Sequence, residues 1–316
     1  MTAGTDAGGA AGGSARSARV ARRGSARRGL LTEGPRWDAE RAELLWVDIL
    51  AGEVHTAAVG DDGHLEPVRS VQVGRHVGAA APAAAGGYVI AAAGGFWHTD
   101  DDGGLRELAQ PEAGRTDVRM NDGICDPQGR FWAGTMAYAE TPGAGRLYRL
   151  ELDGSYTLAL GGLTISNGMG WSPDGTTMYL ADSGTGDVLA FDFDPSGGTL
   201  EERRTFAHVS VPGAAPDGLT VDSDGDVWVA LWNGGAVARY APDGSLRETL
   251  PIPVDRPTSC AFGGRDGATL FVTTSREGLD PNALARQPHA GHVLCIEGLG
   301  VTGPPCTPYR GLVIPT

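Results

Sequence analysis

The 316-residue sequence predicts an all-β protein and, within that class, a six-bladed β-propeller. Three observations carry this expectation. First, 50 Gly and 20 Pro punctuate short runs of β-branched and aromatic residues. Second, no long stretch shows the 3.6-residue apolar period of a helix. Third, a large aromatic residue recurs at Trp46, Tyr88, Trp132, Tyr179, Trp228 and Phe271, at intervals of 42, 44, 47, 49 and 43 residues. A unit of about 45 residues holding four short strands is one propeller blade. A β-sandwich, which would not show this period, is the second choice.

The elements follow in order. Residues 1–29 are mostly Ala, Gly, Ser and Arg; six arginines against Asp6 give this stretch +5 and leave the rest at −19. Such a segment buries little apolar surface, so it is expected to be a disordered tail ahead of a propeller at residues 30–316. It lacks the apolar core of a secretion signal, and no hydrophobic segment follows Arg22-Arg23 or Arg27-Arg28 as a twin-arginine signal requires. No 18-residue apolar run offers a membrane span, and the expected setting is soluble and cytoplasmic. The first blade begins at TEGPRWDAERAELLWVDI, with WDAERAE as the turn before the strand of Trp46. The second carries GGYVIAAA around Tyr88. The third reads NDGICDPQGRFWAGT, where DPQG is a β-turn signature ahead of the strand of Trp132. The fourth and fifth repeat the layout as SNGMGWSPDGTTMYLADS and PDGLTVDSDGDVWVALW. The sixth is TSCAFGGRDGATLFVTTS. Further strands follow the anchors in GAGRLYRLELDG, GDVLAFDFD, GGAVARYAPDG and AGHVLCIE.

Counting back 11 to 13 residues from each anchor gives Glu33, His76, Asn121, Asn167, Asp217 and Ser259. Radial repetition would set these six at similar depth on the innermost strands, around the mouth of one channel. Glu33, Asp217, Asn167 and Asn121 are hard oxygen donors, and such a set suits calcium, magnesium or manganese and is accepted by zinc. The plainer alternative is turn chemistry, because Asn and Asp before Gly often bond their own backbone.

Several chemistries are excluded. All 25 basic residues are Arg, so there is no Schiff-base or P-loop lysine. A net charge of −14 argues against a nucleic-acid partner. No G-x-S-x-G or H-E-x-x-H occurs. The cysteines, 125, 260, 295 and 306, lack metal-ligand spacing and read as free thiols, with a Cys295–Cys306 bridge as the alternative. Of the seven histidines, His76 alone falls at a ring position, where it would touch substrate or simply pack. Asp48 and Asp182 follow their strands and would either support ligands from behind or join strands by hydrogen bonds.

The segments EGPRWD, RMNDGICDPQGRFWAGTM, ISNGMGWSPDG, PDGLTVDSDGDVWVALWNGG, TSCAFGG and REGLDPNALARQPHAGHVLCIEGLGVTG resemble the gluconolactonase, regucalcin (senescence marker protein) and luciferin-regenerating enzyme family. The resemblance runs over about residues 30–315. It implies a six-bladed propeller with one divalent metal site in the central channel, calcium being the first choice and zinc, manganese or magnesium the others. It implies Glu33, Asn167 and Asp217 as metal ligands, and Arg119 and Asn121 as groups that bind substrate oxygens. The family often carries a substrate-contacting Glu just after AGTM; here Ala137, Tyr138, Ala139 and Glu140 follow, so Glu140 is the candidate, one place out of register.

The expected reaction is hydrolysis of an aldonolactone such as glucono-, xylono- or arabinonolactone. The cation would polarise the carbonyl, Arg119 would hold hydroxyls or the oxyanion, and Asp217 would double as base. The expected partner is this small molecule alone, with no nucleic acid and no membrane, on a monomer or weak homodimer. Two alternatives keep the channel: a phosphotriesterase-type hydrolase, and a non-enzymatic calcium-binding regulator.

Overall fold

A computed structural model describes residues 22–25, 27–60 and 63–311. Six four-stranded antiparallel sheets are arranged as blades, and all six aromatic anchors fall on the second strand of their blade. The innermost strands are Thr32–Asp38, Val77–Pro82, Val118–Cys125, Ser166–Trp171, Ala215–Val221 and Pro257–Gly263. Each touches the next, and the sixth touches the first, so they enclose one channel.

The buried apolar side chains of the described residues form six clusters, each between two neighbouring blades. Burial on both faces explains why the second strands read as near-continuous apolar runs, such as VWVALW, and not as alternation. In the third and fifth blades the anchor has a polar tether as well. Trp132 Nε1 donates to Asp126 Oδ2 at 3.0 Å and Trp228 Nε1 to Asp222 Oδ2 at 2.9 Å. Arg149 and Arg239 lie over these indoles, 5.2 and 4.9 Å from the ring centroids.

The sixth blade corrects the expected boundary at residue 30. Its outermost strand is Arg22–Arg23, paired antiparallel with Leu294–Ile296. Gly24 N and Ser25 N donate to Val293 O at 2.9 and 3.2 Å, and Leu65 N donates to Gly24 O at 2.8 Å. Polarity did not prevent this, because an outer strand contributes backbone groups and needs few apolar side chains. Residues 1–21 lie outside the described residues, and the expectation of disorder there stays with them.

One short helix, Pro281–Arg286, interrupts the sixth blade, capped by Asp280 Oδ1 accepting from Ala283 N at 2.8 Å. No helix among the described residues is long and apolar enough to cross a membrane. The final described stretch adds no strand to a blade. It passes beneath the propeller, with Cys306 N bonded to Trp37 O and Tyr309 Oη to Glu151 O. All four cysteines are free, so the Cys295–Cys306 bridge is not formed.

Candidate metal and substrate site

Every innermost strand breaks register at or beside its ring residue: between Glu33 and Arg36, Val77 and Ala79 (one place after His76), Met120 and Gly123, Ser166 and Met169, Pro216 and Leu219, and Pro257 and Ser259. A bulge of this kind re-aims side chains that a regular strand would alternate. The Asn-Asp-Gly, Asn-Gly and Asp-Gly pairs are therefore strand bulges, and the turn alternative is set aside. The glycines serve a close approach. A Cβ on Gly168 would overlap Leu219 N, and one on Gly218 would overlap Ser259 Oγ. Only glycine lets neighbouring blades come this near.

Glu33, Asn121, Asn167, Asp217 and Ser259 are buried, and His76 is partly buried. Burial raises the Glu33 carboxyl to about 8, with a further push from Asp122, against the Gly34 N–H, Arg119 and Arg36. Asp217 is held well above the carboxylate range by burial, then by Glu33 and Asp122, with the Asn167 amide and Arg119 opposing. Asp122 is raised by burial, with Arg36 as its main counterweight. Arg119 is lowered by burial, while Glu33, Tyr138, Glu277 and Asp217 act the other way. The acids thus crowd together with too little positive charge.

The donor set fits a hard divalent cation. Asn167 Oδ1 and Asp217 Oδ1 are buried without a hydrogen-bond partner. Asn167 Nδ2 donates to Ser183 Oγ at 3.1 Å, and that hydroxyl donates to Pro216 O at 2.6 Å. One serine thus orients both the amide and the residue before Asp217. Among the described residues no three His, Cys, Asp or Glu side chains meet at ligand spacing; the set here is two carboxylates and an amide oxygen. Oxygen-only donation of this sort is what calcium accepts.

Around this centre, Arg119 Nη1 donates to Asn121 Oδ1 at 2.6 Å and to Met120 O at 3.1 Å, and Asn121 Nδ2 donates to Ser166 O at 2.9 Å. Asp122 pairs with Arg36 at 3.0 Å, each side chain 3% exposed. His76 Nδ1 meets Tyr138 Oη at 3.0 Å. Glu140, in contrast, lies in an exposed turn with φ of 50°, so the side chain that this segment turns towards His76 is Tyr138. Asp48 and Asp182 accept from backbone N–H groups of residues 30–31 and 164–165, which is strand joining and not ligand support. Ser183 and Tyr138 carried no sequence signal for these contacts, since both lie on loops after the second strand.

A cavity of about 380 Å³ lies at the far ends of the inner strands, between Trp37, Ile124, Trp171, Val221, Phe262 and Pro305. None of the six ring residues lines it, so it belongs to the opposite end of the channel.

The SMP-30/Gluconolactonase/LRE-like region model matches residues 31–276. Regucalcin of Oryctolagus cuniculus is 36% identical over 290 residues, covering 88% of this chain and 94% of that protein. A luciferin-regenerating enzyme structure superposes with a TM-score of 0.85 at 29% identity, covering 92% of this chain and 99% of that one. The structure of regucalcin from Agrobacterium tumefaciens, described as a calcium-binding protein, gives 0.85 at 30% identity, covering 92% and 98%.

Proposed function

We propose that this chain, which belongs to the SMP-30/gluconolactonase/LRE-like family, is a divalent-metal-dependent hydrolase that opens a sugar lactone to the aldonic acid. The observation that carries the reading is the pair of unpartnered buried oxygens, Asn167 Oδ1 and Asp217 Oδ1, among acids short of positive charge. Glu33, Asn167 and Asp217 would hold the cation. Calcium is favoured by the oxygen donors and by the description of the Agrobacterium relative; zinc, manganese or magnesium would substitute. When bound, such a cation supplies a Lewis acid for the lactone carbonyl and makes a nearby water more acidic.

The chain's own residues do the rest. Asn121, held by Ser166 O, fixes one arm of the Arg119 guanidinium. The remaining donors of that fork would bind substrate hydroxyls and the oxyanion that forms as the carbonyl is attacked. The Asp217 carboxylate would also take the proton from the attacking water and pass it on as the ring oxygen leaves. Hydrolysis of aldonolactones should be followed by proton release, before and after chelation and again after readdition of metal. Activity lost on chelation and restored by metal is expected. Absence of turnover across the panel in protein shown to bind calcium would replace this reading with the calcium-binding regulator.

A further inference from the structure

The mouth of the channel carries an aromatic wall where an acid was expected. Tyr138 follows the second strand of the third blade, and its N–H donates to Asp117 O at 3.0 Å. That bond ties it beside the start of the strand bearing Arg119. Its hydroxyl meets His76 Nδ1 at 3.0 Å, and the two rings meet edge to face at 5.9 Å. Yet the tyrosine stays 50% exposed, so much of its ring is free to meet another molecule. It is near enough to Arg119 to act on its charge.

We infer that the Tyr138–His76 pair sets substrate preference, selecting lactones that present an apolar ring face over fully hydroxylated ones. This rests on the lactonase reading of the same site. A carboxylate at this position would accept charge-assisted hydrogen bonds from two neighbouring substrate hydroxyls. A tyrosine whose hydroxyl is already engaged offers instead a flat apolar surface with little conformational freedom, suited to the C–H face of a ring. Sites built to bond a hydroxyl reject the analogue lacking it, and sites built from apolar surface lose that discrimination. Arg119, steadied by Asn121, would still hold the carbonyl end, so the pair decides which ring substituents are accepted and not whether the ester is attacked.

The test compares glucono-δ-lactone with δ-valerolactone, which has no hydroxyls, on metal-loaded wild type, Tyr138→Glu, Tyr138→Phe and Tyr138→Ala. Melting temperatures check folding, which an exposed position should tolerate. Tyr138→Glu is expected to move the kcat/KM ratio towards gluconolactone by roughly 10-fold or more, mostly through KM, while Tyr138→Phe keeps the wild-type ratio. A ratio unmoved in both Tyr138→Glu and Tyr138→Ala, or lost in Tyr138→Phe, overturns the inference. If wild type opens neither lactone, the lactonase reading fails by itself. Calorimetric titration with the two corresponding lactams then decides: the same shift in binding ratio upholds the wall, and no shift or no binding removes it.

Discussion

Replacing Arg36 by Met should destabilise the metal-free protein severely. Arg36 is 3% exposed, and it donates to Asp122 Oδ1 at 3.0 Å, to Gly123 O at 2.9 Å and to Pro35 O at 2.8 Å. Met preserves much of the volume but leaves Asp122 without its guanidinium beside Glu33 and Asp217, both already raised by burial and by Asp122. Removing one partner of a buried ion pair costs about 3–5 kcal/mol. For a domain of this size that is a fall in Tm on the order of 10 °C. Thermal unfolding in chelator, followed by tryptophan fluorescence, reads the difference. The double variant Arg36→Met/Asp122→Leu should recover at least half of the loss, because it removes the stranded charge as well. A single variant melting within about 2 °C of wild type, or a double variant no better than the single, would refute the reasoning.

Glu33→Gln and Asp217→Asn should each abolish calcium binding in a calorimetric titration, and wild-type affinity in both would discard the ligand assignment. Arg119→Ala and Asn121→Ala should lower lactone turnover by one to three orders of magnitude, about 1.4–4 kcal/mol of barrier, with metal affinity and Tm little changed. A large drop in Tm with normal specific activity would make that pair structural. Truncation before residue 22 should leave Tm unchanged, whereas truncation before residue 27 should lower it by removing the bonds of Gly24 and Ser25 to Val293 and Leu65. Equal melting of the two truncations would count against the closing strand. His55 is 2% exposed, and burial, then Arg27, lowers it from 6.5 to about 4. Protons therefore favour the unfolded chain, so stability present above pH 6.5 should be lost as pH falls towards 4, by about 3 kcal/mol. Wild type and His55→Gln should diverge across that window in denaturant unfolding, and parallel pH profiles would contradict it.

The candidate site was legible where the repeat was strict. Glu33, Asn121, Asn167, Asp217 and Ser259 could be found by counting from the anchors, because a bulge recurs at one depth in the inner strands, and His76 stands one place ahead of the bulge in the second blade. Glu140 lies in the exposed segment after Ala137, where no strand period governs which side chain faces the channel. There the bond from Tyr138 N to Asp117 O sets the tyrosine against His76.

By itself the sequence determined the all-β class, the number of blades and the ring of polar donors. These follow from spacing along the chain, and a strand's period and a blade's length are local properties. Tertiary structure alone decided the rest. Arg22–Arg23 closes the sixth blade through backbone bonds that its polar composition does not announce. Asp122 pairs with Arg36 of the first blade, and Ser183 orients Asn167 from a loop of its own blade. Each of these choices depends on which side chains a curved, closed ring of blades brings face to face, and that is a property of closure rather than of any one segment.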